Sequence, residues 1–316
     1  MRSNEAEQPE TMDALIAGTP DPKEDLAASI SYTQAIVDRR IGLMIPPEKA
    51  SPARLHQAMR RTTLAPGKRF RPLLTVLIAE AAGVEDIAVY DLGCTSELVH
   101  AASLILDDLP CMDDAQTRRN APCAHIFYDE STAILTATAL LNRSFGVVAG
   151  LETFTAEHRI KISGLLSGCV GSNGLIAGQL MDLANTNKGT SIENVERLNA
   201  LKTGALIDYA VIAAAIVCDF SEEKTGHLKR FSHNIGLAFQ LMDDIKDRLM
   251  TAEDSDKDIN QDINKATILS ITNDDKAKAM VRDYISQSKD GLSQAGLGID
   301  GRIGALLDLQ FAFLDA

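Results

Sequence analysis

Apolar residues recur every three or four positions along most of the chain, a spacing that places them on one face of a helix. The first such series is Leu26, Ile30, Val37, Ile41 and Met44. Longer apolar-rich stretches follow near residues 67–83, 86–108, 130–150, 157–185, 191–218, 222–250, 265–288 and 300–315. Proline, the main helix breaker, is absent after Pro122, and no alternation with a period of two persists. The pattern therefore predicts a single all-α domain of about ten helices over residues 25–316.

One predicted helix, over residues 162–181, is unusually rich in glycine. Its glycines are spaced so that they share one side: Gly164, Gly168, Gly171, Gly174 and Gly178. Each glycine costs a helix about 1 kcal/mol relative to alanine. Two interpretations stay open, close packing against another helix or a thin wall beside an elongated cavity. The same run contains Ser, Asn and Gln, so we expect a buried helix of a globular protein and no transmembrane segment.

The charge and the cysteines restrict the possible partners and locations. The 316 residues include 31 Lys and Arg against 44 Asp and Glu, a formal charge of −13, which argues against binding to nucleic acid or anionic lipid. The five scattered cysteines contain no C-x-x-C pair, so we expect neither disulfides nor a zinc site, and a reducing cytoplasmic location. Residues 1–24 are acidic, contain three prolines and lack a secretion signal, and we expect a mobile arm.

Two clusters of aspartates interrupt apolar helices. The first lies in LILDDLPCMDDAQTRRN and the second in FQLMDDIKD, and their members are Asp107, Asp108, Asp113, Asp114, Asp243, Asp244 and Asp247. Like charges four residues apart destabilise an isolated helix, so the clusters indicate a bound counter-ion. Carboxylates suit Mg²⁺, which usually binds one or two of them together with phosphate oxygens of a substrate.

Basic residues accompany both clusters although the protein is acidic overall. They are Lys68, Arg69, Arg71, Arg118, Arg119, Lys202, Lys257 and Lys265. Cations beside carboxylates indicate a phosphate ligand that is held by metal on one side and by Arg or Lys on the other. Any one of these cations alone would be an ordinary surface residue, and a lone DDxxD is more often a solvated face.

Six segments together resemble the trans-isoprenyl diphosphate synthases in sequence, order and spacing. They are GKRFRP (67–72), ELVHAASLILDDLPCMDDAQTRRN (97–120), GQLMDL (178–183), LKTGAL (201–206), GLAFQLMDDIKD (236–247) and DKDINQDINKAT (256–267). The DDLPCMD form of the first motif is similar to that of bacterial geranylgeranyl diphosphate synthases. The resemblance implies a helical bundle around a deep central cavity, usually a homodimer, that acts on prenyl diphosphates.

The resemblance also implies three Mg²⁺ ions, held between two aspartate walls and the allylic diphosphate. Asp107 and Asp113 would be direct ligands on one wall and Asp243 on the other. The supporting residues would be Asp108, Asp244 and Asp247. Asp113 is favoured over Asp114 because the family's first arginine follows the last metal aspartate by five residues, and here that arginine is Arg118.

Two diphosphate sites follow from the same resemblance. The residues around the allylic diphosphate would be Arg118, Gln179, Asp182, Lys202, Lys257 and Lys265. The isopentenyl diphosphate pocket, which needs no metal, would be formed by Lys68, Arg71, His100 and Arg119. Arg118 and Lys202 would stabilise the leaving diphosphate. Thr203 and Gln240 would direct dipoles at the allylic cation, and no protein nucleophile is required.

In this family the helix before the first acidic motif sets product length. Ala102 and Ser103 lie about one turn before Asp107, and Val99 lies deeper. Members that stop at a C15 product carry a bulky aromatic residue at these places, so the small residues here imply a C20 product from farnesyl diphosphate. A farnesyl or longer-chain synthase is the alternative, and shorter allylic starters stay open beside farnesyl diphosphate. The other interpretation of Ala102 and Ser103 is that they merely allow close helix packing.

A few features bear on rival functions. Asn120 stands where the family commonly has Gly, but Asn tolerates positive φ, and Cys123 and Ala124 replace commoner residues before His125. A terpene cyclase would lack the second diphosphate pocket. A non-catalytic regulatory subunit of a heteromeric prenyl synthase would have lost part of one acidic motif. A plain helical scaffold would not explain the coincidence of motifs.

Overall fold

Helices form nearly all the regular structure of residues 25–184, 191–249 and 267–315, the parts of the chain that the computed structural model describes. They are α1 (Leu26–Met44), α2 (Ala53–Thr63), α3 (Phe70–Ala81), α4 (Ile87–Asp107), α5 (Ala124–Phe127), α6 (Glu130–Ala149), α7 (Ala156–Val170), α8 (Leu175–Ala184), α9 (Ile192–Asn199), α10 (Ala205–Val217), α11 (Glu222–Leu249), α12 (Ile268–Ile271), α13 (Asp274–Gln294) and α14 (Arg302–Phe311). A π-helical segment, Ala200–Gly204, joins α9 to α10, and a 3₁₀ turn, Ala312–Asp315, follows α14. The predicted all-α class is confirmed, with more helices than expected because three of the predicted stretches are divided and because α2 and α5 lie outside all of them.

Local chemistry explains where several helices begin. Asp25 accepts the Ala27 N–H at 2.9 Å and Asp86 accepts the Ala88 N–H at 2.8 Å, so both carboxylates satisfy amides that a helix start leaves unpaired. The apolar pattern does not predict α2, because most of its residues are polar and its few buried residues include Ala58 and Met59.

The bundle has two apolar clusters that share α10. One is formed mainly by α3, α10, α11, α13 and α14, and the other by α1, α4, α6, α7 and α10. The fully buried hydroxyl of Tyr209 on α10 shares a 2.7 Å hydrogen bond with Thr95 on α4. Helix α10 is therefore central, and it fixes the π segment at its N-terminal end between the two halves.

The prediction of one buried helix over residues 162–181 is wrong in two respects. Helix α7 ends at Val170 and α8 begins at Leu175, so the run is divided. It is also largely exposed: among the described residues, no atom beyond the helix's own nearby backbone lies within 4 Å of a Cβ built on Gly164 or Gly168. A Cβ on Gly178, by contrast, would lie 2.7 Å from Lys202 Cα. Close packing therefore explains Gly178, and neither interpretation explains the first two glycines.

Three stretches of the described chain are long and apolar enough to cross a membrane by length and composition alone. They are Glu130–Ala149, Ala156–Ala184 and Ile192–Val217. The third is 61% buried inside the bundle, and the second is only 22% buried. The expectation of no transmembrane segment therefore stays a prediction.

A short hairpin departs from the expectation of helices alone. Strand β1 (Thr117–Arg118) pairs antiparallel with β2 (Ala121–Pro122). Two-residue strands are too short to produce a recognisable alternation in the sequence. The predicted arm over residues 1–24, together with Lys257 and Lys265, lies outside the described residues, and these assignments stay predictions.

Candidate active site

The first acidic cluster lies at the C-terminal end of α4. The Asp113 N–H donates to the Asp107 carbonyl oxygen at 2.9 Å, so the loop folds back and brings these two aspartates together. Burial raises the pKa of Asp107 to about 6 against the opposing effect of Lys202, and Asp113 adds to the rise. A buried carboxylate that is short of compensating charge favours a bound cation. Asp114 is exposed, with a left-handed backbone (φ 50°).

The hairpin after this cluster presents the arginine pair. Arg118 on β1 makes a two-point ion pair with the buried Asp108, with Nε–H to Oδ1 at 2.8 Å and Nη2 to Oδ1 at 2.6 Å. Arg119 and Asn120 form the two-residue turn with φ values of 52° and 58°, as in a type I′ turn. The expectation that Asn120 preserves the turn without glycine is confirmed. Arginine does not favour this conformation, so the fold holds Arg119 there.

The π segment carries the groups on the opposite wall. The Thr203 hydroxyl donates to Gln240 Oε1 at 2.6 Å, and Gln240 Nε2 donates to Asp244 Oδ1 at 2.9 Å. These two hydrogen bonds fix the orientation of the Gln240 amide and link the π segment to α11. A π segment opens the regular helical hydrogen-bond ladder and is often found at functional sites.

Lys202, also on the π segment, is tied to α8. Its Nζ donates to the Asp182 carboxylate at 2.6 Å. The Gln179 side chain, one turn earlier on α8, is buried, and neither atom of its amide has a hydrogen-bond partner in the described part of the chain. Buried amides are rarely left unpaired, so Gln179 has hydrogen-bonding capacity available for a ligand.

A second group of cations lies between α3, α4 and the hairpin. Arg71 is buried, its guanidinium carbon is 5.6 Å from the centre of the Phe239 ring, and its Nε–H has no acceptor among the described residues. Burial lowers the pKa of Arg71, and Glu97 and Asp243 oppose this effect. The pKa of His100 lies well below its usual range, mainly because the ring is buried and then because Arg71 and Arg119 are positively charged. His100 is therefore a neutral hydrogen-bonding group.

The remaining acidic residues, Asp243 and Asp247, are on α11. The pKa of Lys246 is lowered, mainly by burial and then by the positive charge of Lys68, whereas Asp243 and Asp247 act to raise it. The exposed Lys68 therefore lies near this wall. Nowhere in the described ranges do three His, Cys, Asp or Glu side chains form a cluster that could hold a metal. The first wall lies at the end of α4 and the second lies on α11, so the two walls belong to different elements. Their all-oxygen donors fit Mg²⁺, with phosphate oxygens of a ligand completing its coordination.

The three residues predicted to set chain length lie on α4 as expected. Val99 and Ala102 are fully buried in the cluster that α4 forms with α6 and α7, and Ser103 is half-buried. The Ser103 hydroxyl donates to the His100 carbonyl oxygen at 2.9 Å, which leaves it no exposed donor. Their role in chain length stays a prediction.

Two buried charged residues received no role from the sequence. Arg69 and Glu97 form an ion pair at 3.1 Å beside His100. Arg69 stands inside the GKRFRP segment, and Glu97 precedes His100 by three residues, so the two α4 residues share a helix face. The spacing of Glu97 and His100 could have placed Glu97 in the pocket, but nothing in the sequence pairs it with Arg69.

Comparisons with known proteins agree with this arrangement. The family model described as polyprenyl synthetase matches residues 52–293. The geranylgeranyl diphosphate synthase of Pantoea ananas is 40% identical over 263 residues, which cover 83% of this chain and 86% of that protein. The farnesyl diphosphate synthase of Micrococcus luteus is 34% identical over 242 residues, which cover 76% of this chain and 83% of that protein.

A solved structure extends the similarity to the fold. A geranyltransferase from Helicobacter pylori, complexed with magnesium and isoprenyl diphosphate, superposes with a TM-score of 0.77 at 27% sequence identity. The match covers 90% of this chain and 97% of that one.

Proposed function

This chain belongs to the polyprenyl synthetase family, and we propose that it condenses isopentenyl diphosphate with an allylic diphosphate. The observation that carries the proposal is the presence of two differently built cationic sites. One places Arg118 and Lys202 near Asp107 of the first wall, with Arg118 paired to Asp108 and Lys202 paired to Asp182. The other places Arg71, Arg119 and a neutral His100 together. Two diphosphates, one bound with metal and one without, fit these two sites.

The aspartate walls would hold three Mg²⁺ ions on the allylic diphosphate, with Asp107, Asp113 and Asp243 as ligands and Asp244 and Asp247 in support. Bound Mg²⁺ would stabilise the negative charge that builds up on the leaving diphosphate. Asp108 is committed to Arg118 by two hydrogen bonds. We therefore assign to Asp108 the orientation of Arg118, which faces the same leaving group.

The chain's own residues then serve three steps. Lys202 and Arg118 stabilise the diphosphate as its bond to the allylic carbon breaks, and Lys257 and Lys265 are proposed to join them. The Gln240 amide oxygen, fixed by Thr203, would face the allylic cation and favour its positive charge. The isopentenyl double bond attacks the cation, a new carbon–carbon bond forms, and a proton leaves to the released diphosphate. Asp182 orients Lys202 through their 2.6 Å hydrogen bond, and the buried Gln179 amide is proposed to contact the diphosphate.

We propose geranylgeranyl diphosphate as the main product and farnesyl diphosphate as the preferred allylic substrate. Ala102, Ser103 and Val99 offer no aromatic barrier below Asp107. The Pantoea ananas relative is a geranylgeranyl diphosphate synthase. The Micrococcus luteus relative is a farnesyl diphosphate synthase, so farnesyl diphosphate is the competing candidate for the product. A regulatory subunit is disfavoured because both acidic motifs are complete.

We propose a cytoplasmic homodimer. Helices α6, α7 and α8 expose large apolar side chains, including Leu135 at 62%, Ile160 at 72% and Leu180 at 69%. Monomers rarely expose many such residues on neighbouring helices, and a second copy would cover them. All five cysteines are free thiols, as a reducing compartment requires. Light scattering should give twice the 34.0 kDa chain mass.

The deciding assay incubates the protein with Mg²⁺, isopentenyl diphosphate and farnesyl diphosphate, and measures product length. We expect a C20 diphosphate that disappears when Mg²⁺ is chelated and returns when it is restored. A parallel incubation without isopentenyl diphosphate distinguishes a cyclase, which would release a hydrocarbon or alcohol. Absence of any condensation product in the complete mixture would refute the proposal.

A further inference from the structure

Arg69 is a cation of the GKRFRP segment whose side chain is buried. Only 3% of the side chain is exposed. Its Nε–H donates to Asp38 of α1 at 2.6 Å, its Nη1–H to Glu97 of α4 at 3.1 Å, and its Nη2–H to the Ala65 carbonyl oxygen at 2.8 Å. The protein's own acceptors thus occupy this guanidinium on three sides. Arg69 therefore ties the loop that carries Lys68 to two helices.

Glu97 is the carboxylate that faces the arginines of the isopentenyl diphosphate pocket. Its side chain is 6% exposed, and it lines a small cavity of about 10 Å³ with Arg69, His100 and Arg119. Burial acts to lower the pKa of Arg69, Arg71 and Arg119, and the negative charge of Glu97 acts to raise the pKa of all three. A carboxylate beside an anion site weakens the attraction for a diphosphate, so its presence there calls for another role.

Crowding of like charges supplies that role. The Arg119 Nη atoms and Arg69 Nη1 all lie 3.4–3.5 Å from the point that a Cβ on Gly67 would occupy. Arg69 and Arg119 also have left-handed backbones, with φ of 49° and 52°. Buried like charges repel strongly where little water screens them. Without an internal counter-charge, the arginines would separate whenever the pocket holds no diphosphate.

We propose that Arg69 and Glu97 are a positioning pair for the isopentenyl diphosphate site. Arg69 anchors the loop over residues 65–69, and Glu97 keeps the Arg71 and Arg119 guanidinium groups in place before the substrate arrives. Neither member of the pair binds the substrate. This inference rests on the proposed function, because it concerns the metal-free pocket of the same reaction.

The test separates the two substrates. For Glu97→Gln we expect the KM for isopentenyl diphosphate to rise about tenfold, because a charged hydrogen bond is lost, while kcat and the KM for farnesyl diphosphate stay within about twofold. Arg69→Gln should give the same split, and the double variant should be no worse than the worse single variant, as for residues that act as a unit. An unchanged or lower KM for isopentenyl diphosphate in Glu97→Gln would show that Glu97 only dilutes the positive charge, and would overturn the proposal.

An ion pair that joins α1 directly to α4, the two helices that Arg69 contacts, provides a matched control. Arg40 on α1 and Asp91 on α4 are joined by two contacts of 2.7 Å, with side chains 16% and 18% exposed. Asp91→Asn should lower the melting temperature about as much as Glu97→Gln and leave both KM values within about twofold. An equal rise in the KM for isopentenyl diphosphate in Asp91→Asn would assign the effect to loosened helix packing and overturn the pair's specific role.

Binding without turnover gives a second measurement. Calorimetric titration of wild type, Glu97→Gln and the milder Arg69→Lys with isopentenyl diphosphate, in the absence of divalent metal, should show affinity lowered in both variants. Equal affinities would overturn the pair. If wild type makes no prenyl product at all, the proposed function fails and this inference fails with it. If wild type condenses its substrates and the variants show no substrate split, only this inference fails.

Discussion

Gly178 is the point where α8 touches the π segment that carries Lys202 and Thr203. A Cβ at this position would lie 2.7 Å from Lys202 Cα and 2.8 Å from the Leu201 carbonyl carbon. Carbon atoms in contact are normally about 3.5–4.0 Å apart, so Gly178→Ala requires about 1 Å of displacement. The nearest atoms belong to the backbone, and no side-chain rotation can relieve the clash. The π segment itself must therefore move.

The effects on stability and on activity differ in size. Overpacking typically costs about 1–3 kcal/mol, while alanine in place of glycine stabilises a helix by about 1 kcal/mol. The net loss is at most about 2 kcal/mol, which lowers the melting temperature of a chain this long by no more than about 5 °C. A catalytic group displaced by about 1 Å can lose about 100-fold in rate. We therefore expect kcat to fall roughly 10- to 100-fold in a folded protein.

Steady-state kinetics with farnesyl and isopentenyl diphosphates, beside thermal melts followed by circular dichroism, measure the two effects separately. Gly226→Ala on α11 is the matched control, because this glycine is exposed in a helix and an added Cβ would meet no atom within 4 Å in the ranges that the structure covers, apart from the helix's own nearby backbone. The control should keep kcat within about twofold and melt no lower than wild type. A Gly178→Ala enzyme with wild-type kcat would refute the argument that the π segment must hold its position.

Three further outcomes are expected. Asp107→Ala and Asp243→Ala should each lower turnover by several orders of magnitude with helicity retained, since each wall supplies charge for metal binding; turnover near that of wild type in either variant would contradict the metal assignment. Arg119→Ala should mainly raise the KM for isopentenyl diphosphate and Arg118→Ala should mainly lower kcat, so identical kinetic defects would contradict two separate sites. Ala102→Phe should shift the main product from C20 to C15 with condensation retained, and an unchanged C20 product from the folded variant would place the floor of the channel elsewhere.

The helices that carry the site could be predicted from the sequence because each lies in a long stretch rich in apolar residues, and no proline interrupts the chain after Pro122. Helix α4 was expected near residues 86–108 and occupies Ile87–Asp107. Helix α2 was missed because its surface is basic and its stability comes from tertiary contacts. The division of the glycine-rich run between Val170 and Leu175 was also missed. Its residues are apolar on both sides of the break, and periodicity alone does not record where a chain turns.

The candidate site was predictable as a set of residues but not as a set of pairs. Resemblance named Asp108 and Arg118 for different roles, yet the structure joins them by two hydrogen bonds. The chain from Thr203 through Gln240 to Asp244 depends on the π segment, whose one extra residue per turn leaves no mark in the hydrophobic pattern. Partners that are brought together by a local irregularity become visible only in three dimensions.

The left-handed backbone of Arg119 sets thermal tolerance and activity against each other, as that of Arg69, a buried anchor, does not. Each non-glycine residue in this region costs about 1–2 kcal/mol that glycine would not incur. A screen that rewards heat resistance alone would therefore favour glycine at residue 119, and the enzyme would gain robustness as it loses a substrate contact. Engineering for durability in this protein should exclude both arginine positions and concentrate on exposed glycines such as Gly226.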